Sequence, residues 1–147
     1  IRRGDGIIKN MNAFAHSVDE PVRQVNLDET AALMVALSQR FAARLMVRLE
    51  TGPPSGVCVT VNPFLLENCI HLCLAFALES AGAQKALTVS VSGTDQGADI
   101  VFSGIAEPCG DFPTEMAERV AGAIDARLVF DKTKETLTIA LPRKPAG

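Results

Sequence analysis

No basic run longer than Arg2-Arg3 occurs in this chain of 147 residues. Its 14 lysines and arginines are scattered among 17 acids, for a net charge of −3. That balance excludes a nucleic-acid binder driven by basic excess, and equally an acidic tail protein. Nor is any apolar run long enough to span a bilayer; the longest, Cys69 to Leu78, is too short and carries His71. No apolar segment follows Ile1-Arg2-Arg3-Gly4, so the start is not a signal peptide. Internal repeats and low-complexity stretches are also missing. The Cys-x-x-Cys spacing of metal and redox sites is absent, and only His16 and His71 could assist the thiols of Cys58, Cys69, Cys73 and Cys109. Cys69 and Cys73 lie four apart and share a helical face. They read as two small buried hydrophobes, with a half-site for a soft metal as the alternative. Free thiols suit a reducing, cytoplasmic compartment.

What is present is one domain with enough apolar residues for a core. Residues 5–17 place Ile7, Ile8, Met11 and Phe14 on one helical stripe. Pro21 to Val25 is an extended connector. Asn26 caps the next helix, with Glu29 placed as in a capping box, and Leu27, Met34, Leu37, Phe41 and Leu45 mark its expected buried face. Strands are expected at Met46–Glu50 and Val57–Val61, on either side of the turn cluster Thr51–Gly56. Asn62 and Pro63 open a helix that is apolar nearly all round and so central to the fold. Two strands follow, Ala86–Ser92 and Asp99–Ser103, then a helix from about Thr114 to Asp125 and a closing hairpin over Arg127–Phe130 and Thr136–Leu141.

The segment Asn62-Pro63-Phe64-Leu65-Leu66-Glu67-Asn68-Cys69-Ile70-His71-Leu72-Cys73-Leu74-Ala75-Phe76-Ala77 resembles the first helix of the nucleotide pocket in sensor histidine kinases, D-P-x-x-L-x-Q-V-L-x-N-L-L-x-N-A. Gln24-Val25-Asn26-Leu27-Asp28-Glu29 resembles that family's V-D-L-x-E entry, and Thr136 to Pro142 its T-x-F-x-L-x-L-P closing strand. Residues 7–18 are similar to the second helix of the kinase dimerisation hairpin. The resemblance implies an α+β fold. It is a two-layer sandwich of a mixed, mostly antiparallel sheet, covered on one face by three helices and preceded by a short helix. The implied division is the end of a dimerisation-type helix over 1–20, an ATPase-like domain over 21–142, and a tail over 143–147.

Departures from the pattern shape the functional expectation. Leu72 and Phe76 stand where the family has its two asparagines, the second of which holds Mg²⁺. A register shift of one turn would instead offer Asn68. Ser103 or Gly104 stands where the family has the aspartate that binds the adenine amino group. About ten residues, with Gly110 as their one glycine, replace the lid and its phosphate-holding glycine turn. Phe76 offers no hard oxygen ligand. Unmade hydrogen bonds to such a cofactor would cost several kcal/mol. The expectation is therefore no catalytic residue, no ATP or Mg²⁺, and no metal. The module would act in two-component signalling through protein contacts, as part of a larger sensor. Homodimerisation through Ile7, Ile8, Met11 and Phe14 and contact with a response regulator or partner kinase are implied; nucleic-acid and membrane contact are not. Two alternatives stay open: a histidine phosphotransferase-type relay and a divergent, active kinase or ATPase. His16 has the H-x-x-x-x-P spacing of a phosphoacceptor, although Ser17 replaces the usual acid after it. Otherwise His16 is a solvent-facing histidine at a helix end. His71 reads as a partly buried histidine with ordinary hydrogen bonds.

Overall fold

A computed structural model describes residues 22–82 and 85–143. The leading helix, its stripe of Ile7, Ile8, Met11 and Phe14, and His16 lie outside the described residues. The described elements run β1 (Arg23–Asn26), α1 (Leu27–Arg44), β2 (Arg48–Thr51), β3 (Cys58–Val61), α2 (Pro63–Glu79), β4 (Ala86–Gly93), β5 (Gly97–Ser103), α3 (Glu115–Ala123), β6 (Arg127–Asp131) and β7 (Thr136–Pro142).

Each helix starts where a side chain satisfies its orphan N–H groups. The Asn26 Oδ1 accepts from the Glu29 N–H at 3.0 Å. The Asn62 Oδ1 accepts from Phe64 and Leu65 at 3.0 and 3.2 Å, with Pro63 at the first helical position. The Thr114 hydroxyl accepts from the Ala117 N–H at 3.1 Å.

Strands β2-β4-β5-β7-β6 form one sheet in that order. The β2–β4 pair is parallel and the rest are antiparallel. Its register builds two apolar rows across the inner face, Val89–Phe102–Leu137–Phe130 and Val91–Ile100–Ile139–Leu128. The alternation of buried and half-buried residues along β4, β5 and β7 follows from the two-residue period of a strand. Helix α1 packs on β2 and β4, α3 on β6, and α2 lies between them and over β5. This is the two-layer arrangement expected from the sequence. Ten of the 17 residues of α2 are buried, so the helix that is apolar nearly all round is indeed the central one. Close approach in the sheet needs Gly97: a Cβ there would run into the Leu141 carbonyl oxygen.

Two local expectations need correction. The segment before α1 is extended, but it is more than a connector. Arg23–Asn26 is a strand paired antiparallel with β3, with Val25 opposite Val59. On α1 the buried face is Leu27, Ala31, Met34, Val35 and Ala42, while Leu37 is exposed. Ala31 and Ala42 take inward positions on the helix in place of the larger Leu37, since small side chains let a helix lie close on a sheet.

The β2–β3 loop is tied to α1 by a single carboxylate. Asp28 accepts from the Ser55 N–H at 2.9 Å, the Gly56 N–H at 2.7 Å and the Ser55 hydroxyl at 3.0 Å. Partial desolvation pushes the Asp28 carboxyl up, but the bonds from Gly56 and Ser55 outweigh it and hold it below the usual carboxylate range. A depressed folded-state pKa stabilises the fold above the unfolded-state value, about 3.9, and that contribution fades as pH falls through the folded value. Urea unfolding of Asp28→Asn should therefore show a deficit against the parent at pH 7 that shrinks on titration below about pH 4. For α2, Leu74→Ala in the same assay should cost about 2–5 kcal/mol, the range for truncating a fully buried leucine.

Candidate functional site

The connection from β5 to α3 folds back over the C-terminal end of α2 as a strap. It begins at Gly104, whose φ of 115° is left to glycine, and where a Cβ would meet the Ala86 carbonyl oxygen. The N–H groups of Gly104 and Ile105 donate to the Glu135 carbonyl at 3.1 and 3.0 Å, which pins the strap to the β6–β7 turn. Ser80, fully buried at the end of α2, then holds the strap twice. Its carbonyl accepts from the Glu107 N–H at 3.0 Å, and its hydroxyl from the Cys109 N–H at 3.0 Å. Gly82, at φ 68°, leaves room for the strap: a Cβ there would sit 2.9 Å from the Glu107 Cγ.

The strap ends by placing Phe112 on Phe76. The two rings stack with centroids 4.5 Å apart and planes 18° from parallel. Phe130, from β6, meets Phe76 edge-on at 6.0 Å and 88°. Both geometries are favoured by the ring quadrupoles. Phe76 is left 9% exposed. One aromatic from the central helix, one from the strap and one from the sheet thus make a single apolar cluster.

The structure brings some of the sequence-selected positions together and separates others. Leu72 and Phe76 lie one turn apart on α2, both packed into the core. Ser103 ends β5, paired with Thr88 and Thr136, and Gly104 starts the strap beside it. Gly110 is exposed, with nothing near the place of its absent Cβ. Asn68 is on α2 one turn before Leu72; it is 3% exposed, and its Oδ1 has no hydrogen-bond partner among the described residues. His71 is half-buried on the same helix. Cys69 and Cys73 are buried as expected, and burial, with the adjacent Cys69 adding to it, pushes the Cys73 thiol up. A thiol kept protonated is a poor nucleophile and a poor ligand. No group of three or more His, Cys, Asp or Glu placed to hold a metal occurs among the described residues. No described helix is long and apolar enough to cross a membrane.

Sequence reasoning passed over Phe112, Phe130 and Ser80, which make the cluster and its latch. The available signal was Phe112 itself, a large aromatic in a connection otherwise rich in small and polar residues. Two clefts among the described residues lie elsewhere. One, of about 470 Å³, is lined by Asp95, Asp99, Asp125, Arg127 and their neighbours. The other, of about 220 Å³, lies beside Asp28, Ala31 and Pro53. Neither is lined by Leu72, Phe76, Ser103, Gly104 or Gly110.

No family model matches the chain, and no curated protein matches it. Solved structures do. The catalytic domain of histidine kinase ThkA, in a nucleotide-free form, superposes with a TM-score of 0.67 at 11% identity, over 86% of this chain and all of that one. The ATP binding domain of PrrB from Mycobacterium tuberculosis gives 0.64 at 16% identity, again over 86% of this chain and all of its own. The cytoplasmic segment of histidine kinase QseC gives 0.59 at 17% identity, over 82% of this chain and 73% of that chain. Element order, sheet order and these superpositions agree: the chain has the fold of the histidine kinase catalytic domain, the ATPase-like α/β sandwich.

Proposed function

We propose that this domain is a two-component-type signalling module that has lost Mg-ATP binding and works through protein contacts. One observation carries the reading, the stack of Phe112 on Phe76. In the resembled kinases the position of Phe76 supplies a metal-holding amide, and the space beside it admits the nucleotide. Here a ring occupies that position and a second ring lies flat against it. The chemistry of the neighbours supports the same reading. Leu72 and Phe76 carry no oxygen for a hard cation. Ser103 and Gly104 carry no carboxylate to pair an adenine amino group. The Glu135 carbonyl and the Ser80 carbonyl and hydroxyl hold the strap in place by bonds that a nucleotide would have to break or work around.

Isothermal titration of the full chain with Mg-ATP and Mg-ADP tests the proposal directly. No heat of binding is expected up to millimolar nucleotide, and a micromolar Kd would sink the reading. A second measurement separates a blocked site from an erased one. Phe112→Ala should lower unfolding stability by about 1–3 kcal/mol, through the lost stack and lost burial. It should still leave the domain without Mg-ATP affinity, because opening the space supplies no ligand for the metal. Recovery of tight nucleotide binding in Phe112→Ala would mean that the strap is a removable lid over a working site.

A further inference from the structure

The two edges of the five-stranded sheet are finished differently. At the β2 edge the Arg48 and Gly52 N–H groups bond toward β4, so the Leu49 carbonyl faces away from it. That carbonyl accepts from the Gln39 side chain of α1 at 3.0 Å. No such bond is made at the outer side of β6 among the described residues.

The phase of the ladder fixes which groups lie at that outer side. The Arg143 N–H donates to the Gln96 carbonyl at 3.0 Å, one step beyond the pair Gly97–Pro142. Bonded and unbonded pairs alternate along an antiparallel ladder. Leu137, Ile139 and Leu141 therefore turn their backbone groups to β5, and Thr136, Thr138 and Ala140 turn theirs to β6. Asp131, Val129 and Arg127 answer those three. The N–H and C=O groups of Leu128 and Phe130 are left pointing off the edge.

The side chains also suit a partner strand. Leu128 and Phe130 face the helices and are only half-buried, while Val129, on the open face, is 49% exposed. The strand has no proline, no glycine and no inward-pointing charge, the devices that keep an edge from pairing. Its charges stand at its two ends, Arg127 and Asp131, on the same face as Val129. Arg127 has no ion pair among the described residues; across its own sheet it faces Ala140, with Asp99 one strand further. Asp131 accepts from the Lys134 N–H at 3.1 Å through Oδ1, which leaves Oδ2 for another donor.

We propose that β6 pairs antiparallel with β6 of a second copy of this chain, about a two-fold axis at Val129. In that register Arg127 lies opposite the partner's Asp131, Leu128 opposite the partner's Phe130, and Val129 opposite itself. Leu128 and Phe130 form the bonded pairs, so every N–H and C=O they point off the edge finds its counterpart. A register two residues away loses both charge pairs. A second copy is the occupant because Arg-x-x-x-Asp is its own complement when read in reverse. The surface is separate from the stripe of Ile7, Ile8, Met11 and Phe14, which lies outside the described residues.

The test uses the full chain. Sedimentation from micromolar to millimolar concentration is expected to show a monomer–dimer equilibrium. Val129→Lys sets like charges together on the axis, and Arg127→Asp or Asp131→Arg alone sets them together at its flanks. Each should weaken association by about tenfold or more, because the symmetry counts each charge pair twice. Mixing Arg127→Asp with Asp131→Arg should give a dimer at a concentration where neither forms one alone, a rescue that a defect in folding would not produce. With the exposed Cys58 and Cys109 changed to serine, Val129→Cys should form an intermolecular disulfide on mild oxidation. The axis brings those two Cα atoms to about 4.5 Å, within disulfide reach; Arg127→Cys should form none. The disulfide leaves both charges in place and decides the matter where a reversal variant does not fold. A parent that stays monomeric at millimolar concentration, a mixture that does not associate, or no disulfide at position 129 would overturn the assignment. So would an association abolished by Met11→Glu with Phe14→Glu and indifferent to Val129→Lys.

Discussion

Burial of α2 on three sides is the constraint from which the rest of the domain follows. A helix with ten buried residues out of 17 must be covered by α1 on one flank, α3 on the other and the sheet beneath. Each fully buried Leu or Ile there contributes about 1.5–3 kcal/mol of transfer free energy, and α2 holds several, among them Leu66, Ile70 and Leu74. With that helix fixed, the two apolar rows of the sheet have a lid and the register of β4, β5, β7 and β6 is forced, because a slip of one residue would turn each row outward. The caps at Asn26, Asn62 and Thr114 set where the helices start, but the depth of the core sets how they sit.

The same constraint explains the strap. Once α2 ends at Ser80, its last carbonyl and hydroxyl are buried and need partners. The chain leaving β5 supplies them from Glu107 and Cys109, and in doing so carries Phe112 to Phe76. The aromatic cluster is thus the continuation of the hydrophobic core into the ground between the central helix and the strap. Among the described residues one polar atom departs from the pattern: the Asn68 Oδ1, buried on the same helix without a described partner. A single unmade bond of this kind costs about 1–3 kcal/mol, which a core of this size can carry.

A fold shared with histidine kinase catalytic domains does not fix the residues on its surface. The sandwich is held together by its interior, so the ground beside α2 and the outward face of α1 are free to change without loss of the fold. The fold is held at identities of only 11–17% to the superposed structures.

Much of the architecture was legible in the sequence because periodicity reports burial. The alternation of Leu87, Val89 and Val91, the nearly all-apolar sequence of α2 and the capping asparagines each state locally what the fold does globally. That Leu72 and Phe76 offer no oxygen ligand is read directly from residue type. Three things were not. The pairing of Arg23–Asn26 with β3 depends on two short segments over 30 residues apart in the chain. The choice of Ala31 and Ala42 over Leu37 for the buried face depends on how close the sheet lies, which composition does not encode. The meeting of Phe76, Phe112 and Phe130 joins a helix, a loop and a strand, and no local pattern links them. Short-range regularities of the chain determine which faces avoid water; only the closed packing of helices on the sheet decides which distant side chains share the space that is left.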